Sequence, residues 1–168
     1  MTLSEPLILN LKEITKKDIN KIGRKAANLG ILTLIHKNFS VPDGFVITVA
    51  AYSLFLKANN LEMSIQNLIK DIDYSNYETI ETSSRKIKEE IERASLPKRL
   101  VEEIKKRFEY LGKDNFVVRS SGLFEDLPTA SFAGQYESFL NLKSFDEILK
   151  HIKRCYSSVW TSRAIVYR

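Results

Sequence analysis

Two stretches of this sequence hold residue types suited to binding a phosphate. The first is Ile22-Gly23-Arg24-Lys25-Ala26-Ala27-Asn28-Leu29-Gly30, where a glycine precedes a helix-patterned run. Such a glycine lets backbone amides turn toward a ligand, and a helix start is electropositive. Lys25, in the first turn, adds a point charge suited to a phosphate. The second runs from Val117 to Gln135. Arg119 stands at the exit of the apolar run Phe116-Val117-Val118, and Ser120, Ser121, Gly122 and Gly134 follow it. An arginine followed by small hydroxyl residues and glycines is how a phosphate cradle is built. Each charge-assisted Arg–phosphate hydrogen bond contributes about 1.5–3 kcal/mol. A long irregular segment inside a compact domain is also more often functional than not. The residues alone leave other readings open: Lys25 as a lysine on an ordinary amphipathic helix, and Arg119 as the partner of Glu125 or Asp126 in a structural loop.

Other constellations offer less. His36 and His151 are expected on solvated helix faces among lysines, and Cys155 falls on an apolar helix stripe, where a free thiol behaves as a small hydrophobe. One cysteine excludes an intrachain disulfide and a cysteine-based zinc site. No metal-ligand spacing and no glycine-rich dinucleotide or Walker pattern is visible. The 168 residues carry 26 Lys+Arg against 21 Asp+Glu, a net charge of +5. The lysines sit mainly in mixed runs such as Lys86-Ile87-Lys88-Glu89-Glu90, so the basic balance reads as solvated helix faces rather than a nucleic-acid surface. With 43% apolar and 28% charged residues the chain is not disordered. The longest apolar stretch, Phe45 to Leu56, falls short of the roughly 20 residues of a membrane span. The N-terminus has no secretory pattern, and a cytoplasmic setting is expected.

The elements that must position these residues follow from period and punctuation. Leu7-Ile8-Leu9 is expected to be a first strand. Lys25 to Lys37 is expected to be a helix, with Ala26, Leu29, Leu32 and Ile35 recurring on one face and Gly30 requiring a close neighbour. Val41-Pro42-Asp43-Gly44 is a turn with positive φ expected at the glycine, and Phe45 to Val49 a strand. Helices are expected over 50–59, 64–72, 80–94 and 97–111, the last stopped by Gly112. Phe116 to Arg119 and Glu137 to Leu142 are expected strands. In the latter, Phe139 and Asn141 face one way and Ser138, Leu140 and Leu142 the other. Ser144-Phe145-Asp146-Glu147 is a capping box opening a helix through Ile148, Ile152, Cys155, Val159 and beyond. The class is therefore α+β with a helical middle segment. The apolar period runs to Tyr167-Arg168 without a stop signal, which leads us to expect a longer protein.

With these residues in view, Gly23-x-Lys25-Ala26-Ala27-Asn28-Leu29-Gly30 and Val41-Pro42-Asp43-Gly44-Phe45-Val46-Ile47-Thr48 resemble the start of the phosphoenolpyruvate synthase family. The family includes pyruvate phosphate dikinases and rifampicin phosphotransferases. Val118-Arg119-Ser120-Ser121, Glu125-Asp126-Leu127-Pro128 and Ala130-Ser131-Phe132-Ala133-Gly134-Gln135 are the most specific part of the match, and Arg163-Ala164-Ile165-x-Tyr167-Arg168 fits as well. The sequence departs from the pattern at Arg24, where the family has a second glycine, at Gly122-Leu123-Phe124, which replaces Ala-Thr-Ala, and at Tyr136, where a glutamine is common.

The resemblance implies that residues 1–168 are a single incomplete domain, the N-terminal portion of an ATP-grasp-like nucleotide-binding domain. It implies that Lys25 and Arg119 contact ATP phosphates, that Gly134 contributes through its backbone, and that Ser138 contributes through its hydroxyl. It implies ATP with Mg²⁺, the acidic metal ligands lying in the second half of that domain, and a phosphoryl group passing through a histidine to pyruvate on domains outside these residues. Neither His36 nor His151 lies in the phosphocarrier motif. No residue here is expected to be catalytic or to bind metal, and docking to the rest of the enzyme is expected. A rifampicin phosphotransferase, or a non-catalytic nucleotide-binding or interaction fragment, are the alternatives the residues leave standing.

Overall fold

The computed structural model describes residues 5–35, 40–121 and 138–167, with the backbone of residues 126–127 and 130–131. In chain order the elements are β1 (Ile8–Asn10), 3-10 turns at Leu11–Glu13 and Lys16–Asp18, α1 (Ile19–Ile35), β2 (Phe45–Ile47), α2 (Val49–Ala58), α3 (Leu61–Lys70), α4 (Tyr77–Arg93), α5 (Lys98–Leu111), β3 (Phe116–Arg119), β4 (Asp126–Leu127), β5 (Ala130–Ser131), β6 (Ser138–Leu142), α6 (Phe145–Ser158) and α7 (Ser162–Val166). Helices mix with short antiparallel strand pairs, and the middle of the chain is helical, as the α+β reading expects. The residues group into two compact units. One holds Met1–Leu54, Pro97–Lys113 and Ser121–Ala133; the other holds Phe55–Leu96, Asp114–Ser120 and Gly134–Arg168.

In the first unit β1 and β2 pair antiparallel, with Ile8 opposite Ile47 and Asn10 opposite Phe45. Leu11, Ile14, Ile22, Ala26 and Ala27 form a core against which Leu9, Ile19 and Val46 pack. The buried stripe of α1 differs from the expected one. Ile22, Gly23, Ala26, Ala27 and Gly30 face inward, while Ile35 is 64% exposed. The reason is the close approach of Ile14: a Cβ on Gly30 would lie 2.6 Å from the Ile14 Cβ, so only glycine fits at that point of the face. Gly44 does not take the positive φ expected of it. Leu11 N–H donates to its carbonyl at 3.0 Å, and a Cβ there would meet Leu11 Cδ1 at 3.0 Å. Buried Thr48 ends β2 by donating its hydroxyl to the Pro6 carbonyl at 2.7 Å, and its own carbonyl accepts from Tyr52 N–H as α2 begins. In α5, Leu100 and Ile104 are fully buried, and Gly112 stops the helix at φ 50°.

In the second unit α4 packs against α3, α6 and α7. Ile80, Ile87 and Ile91 of α4 and Ile148 and Ile152 of α6 are buried at helical spacing. The capping box of α6 is present: Glu147 N–H donates to Ser144 Oγ at 3.2 Å, and Glu147 Oε2 accepts from the amides of Lys143 at 2.8 Å and Ser144 at 3.0 Å. Those amides hold the Glu147 carboxyl below its ordinary range. The helix does not continue past residue 158 as expected. The Ser158 hydroxyl donates back to the Cys155 carbonyl at 2.8 Å and so competes with the helix ladder, while the Ser157 hydroxyl donates to Glu92 Oε1 on α4 at 2.6 Å. Thr161 then caps α7, accepting from Ala164 N–H at 3.2 Å.

Candidate functional site

Lys25 lies in the first unit. At Gly23, φ 78° and ψ 163° break α1 in two. That combination belongs almost wholly to glycine. The helix restarts at Arg24 and carries exposed Lys25 in its new first turn, as the glycine-before-helix reading expects. A glycine has no side chain to cap the restarted helix, so another residue supplies the acceptor. Ala26 N–H donates to Ser121 Oγ at 2.9 Å, and Ser121 Oγ–H donates to the Ile22 carbonyl at 2.8 Å. One hydroxyl therefore spans the break. A Cβ on Gly23 would lie 2.4 Å from the Ser121 carbonyl oxygen, so the serine seats against a surface that only glycine leaves open.

Arg119 and Ser138 lie in the second unit, and here the structure brings two expected site residues together. β3 and β6 pair antiparallel with Val118 opposite Phe139 and Arg119 opposite Ser138. Residues directly opposite in such a pair have Cβ atoms about 4.5–5.5 Å apart and share a face. Val118 and Phe139 are half-buried on the side against α6, whereas Arg119 and Ser138 are exposed on the other. Val117, 53% exposed, and Leu140, 65% exposed, lie on that same open face. The strand ends differently from its alternating pattern. Phe116 pairs with Leu142, so two steps along β3 match three along β6. The extra residue is a bulge, accommodated by Asn141 at φ 58°, and it returns Leu142 to the buried side.

Gly134 and His36 lie outside the described residues, as do Glu125 and the segment Gly122-Leu123-Phe124. His151 is half-buried rather than solvated. Its ring lies 4.3 Å from the Phe139 ring, and its Nδ1 donates to the Glu147 carbonyl at 2.7 Å. Arg154 covers the same phenyl ring at 4.6 Å. Cys155 is half-buried in α6. A groove of about 680 Å³ beside α4, lined in part by Glu81, Arg85, Lys88, Thr161 and Ser162, mixes both charge signs and is not lined by Lys25, Arg119 or Ser138. Among the described residues no cluster of three or more His, Cys, Asp or Glu side chains is arranged for a metal. The described residues thus offer no dedicated carboxylate cage for Mg²⁺. Among the described residues no helix is long and apolar enough to cross a membrane.

The sequence places Ser121 among the small hydroxyl residues of the phosphate cradle, whereas the structure uses it to cap the helix that restarts after Gly23. A signal was present: a helix that opens on glycine without a Ser, Thr, Asp or Asn cap leaves amides that must find an acceptor elsewhere. Which residue supplies it depends on a contact 95 positions away.

A glycine-broken helix start bearing a lysine, together with a strand pair presenting an arginine beside a serine, is consistent with a nucleotide-binding domain. Residues 19–168 match the family described as pyruvate phosphate dikinase, AMP/ATP-binding domain, and the chain belongs to that family. It is 37% identical, over 96% of its length, to a probable phosphoenolpyruvate synthase of Staphylothermus marinus, and covers 20% of that protein. It is 39% identical over 96% of its length to a probable phosphoenolpyruvate synthase of Archaeoglobus fulgidus, covering 22%. Rifampicin phosphotransferase of Bacillus subtilis is 34% identical over 96% of the chain, which covers 19% of it. The chain thus spans about a fifth of the length of these relatives.

Proposed function

We propose that residues 1–168 are the N-terminal part of a single ATP-grasp-like domain that binds ATP in a phosphoenolpyruvate synthase-like dikinase. The observation that carries this reading is the register of Arg119 opposite Ser138 within a chain of an AMP/ATP-binding family. In this reading the Arg119 guanidinium and the Lys25 ammonium bind ATP phosphates, the Ser138 hydroxyl adds a hydrogen bond, and Gly134 contributes its backbone. Phosphoryl transfer needs cations fixed around developing negative charge, and two such side chains supply part of that field. Mg²⁺ accompanies the nucleotide and is held by acidic residues outside these residues. The phosphoryl group passes to a histidine that is neither His36 nor His151, and then to pyruvate, in the cytoplasm. In this reading residues 1–168 by themselves bind nucleotide weakly and turn nothing over.

The Bacillus subtilis match favours a second acceptor, a rifamycin antibiotic, with the same ATP half. ATP consumption by the full-length protein with pyruvate or with rifampicin decides between them. Pyruvate-dependent consumption, abolished in Arg119→Ala, supports the dikinase reading. Consumption with rifampicin alone replaces it with the second reading, and consumption with neither overturns both.

A further inference from the structure

We propose that Ser121 is a positioning residue of the phosphate site: its hydroxyl clips the break at Gly23 and so fixes where Lys25 is presented. The inference rests on the reading of Lys25 as a phosphate ligand. Glycine at a helix break is a hinge, because it imposes no φ preference of its own. Lys25 is the second residue beyond that hinge, so any swing of the restarted helix displaces its ammonium. The Ser121 hydroxyl bonds both sides of the break at once, to the Ile22 carbonyl at 2.8 Å before it and the Ala26 amide at 2.9 Å after it. The Ser121 backbone fills the space where a Cβ at position 23 would stand. A side chain at residue 23 could have capped the helix locally, but it would have met that backbone. Break, cap and closed space therefore form one device that holds a cation in place before a ligand arrives. Preorganisation of this kind lowers the ordering cost of binding.

The device predicts a coupling between the two side chains that simple loss of stability does not produce. ATP and adenosine are titrated against the full-length protein and its Ser121→Ala, Lys25→Ala and double variants, well below each melting temperature. Adenosine lacks the phosphates and reports on the fold and the base site. Ser121→Ala is expected to weaken ATP about tenfold, equivalent to about 1.4 kcal/mol, with adenosine affinity unchanged. The double variant is expected to bind ATP as Lys25→Ala does, because positioning has no consequence once the ammonium is gone. The proposal is overturned if Ser121→Ala binds ATP normally, if adenosine weakens in parallel, or if the two losses multiply. A Lys25→Ala protein with unchanged ATP affinity removes the phosphate reading itself and this inference with it. If Ser121→Ala does not fold, Ser121→Cys, similar in size with a weak donor, takes its place in the same cycle.

Discussion

Gly23→Ala tests the local structural argument with a size that follows from the geometry. Its φ of 78° and ψ of 163° lie in a region nearly closed to residues with a Cβ. Holding alanine there costs about 1–3 kcal/mol. The new Cβ would also lie 2.4 Å from the Ser121 carbonyl oxygen and 2.9 Å from its Oγ, and the nearer atom is backbone, which cannot rotate away. Overpacking of this kind adds about 1–3 kcal/mol. The sum, about 2–6 kcal/mol, is a large share of the 5–15 kcal/mol, roughly, that stabilises an ordinary domain. Gly112→Ala is the matched control. It also has positive φ, 50°, but its nearest atom beyond the local chain is Glu109 O at 3.8 Å, so left-handed strain of about 1–2 kcal/mol acts alone. Urea unfolding followed by far-ultraviolet circular dichroism compares the two variants. Gly23→Ala is expected to lose clearly more stability than Gly112→Ala. Equal losses would refute the closed cradle at Ser121.

Two further perturbations probe packing and capping. Gly30→Ala adds helix propensity of about 1 kcal/mol but places a Cβ 2.6 Å from that of fully buried Ile14, so a net loss is expected and a higher urea midpoint contradicts the packing. The Glu147 carboxyl is held below its ordinary value of 4.5 by the Lys143 and Ser144 amides. A depressed carboxylate contributes stability that is fully present above the unfolded value and is lost as pH falls through the folded one. Glu147→Gln is therefore expected to flatten the acid side of the urea midpoint against pH, while Ser144→Ala lowers the midpoint by about 1 kcal/mol of stability at neutral pH. An acid profile unchanged in Glu147→Gln counts against the capping box.

Local chemistry was legible in the sequence. Phe116–Arg119 reads as a strand from its β-branched core after a turn, α5 from Pro97 and Gly112, and the start of α6 from Ser144 and Glu147. What the sequence hides is set by distant partners. The leucines of α1 look like its buried face, yet Ile14 selects the alanine and glycine face instead. Alternation in β6 places Leu142 with Ser138, but the bulge at Asn141 turns it inward. The serines at the end of α6 resemble ordinary polar positions, yet the Ser158 hydroxyl turns back on the helix and the Ser157 hydroxyl reaches Glu92 on α4. The site divides the same way. Lys25 and Arg119 stand out by type and spacing, whereas the opposition of Arg119 to Ser138 depends on strand register and the role of Ser121 on a long-range contact.

The proposed binding of ATP phosphates by Lys25 and Arg119 is open to calorimetry. The full-length protein and its Lys25→Ala and Arg119→Ala variants are titrated with ATP and with adenosine. Each substitution is expected to weaken ATP by about tenfold to a hundredfold, the loss of one charged hydrogen bond, with adenosine unchanged. Both variants binding ATP as tightly as the parent protein would contradict the account.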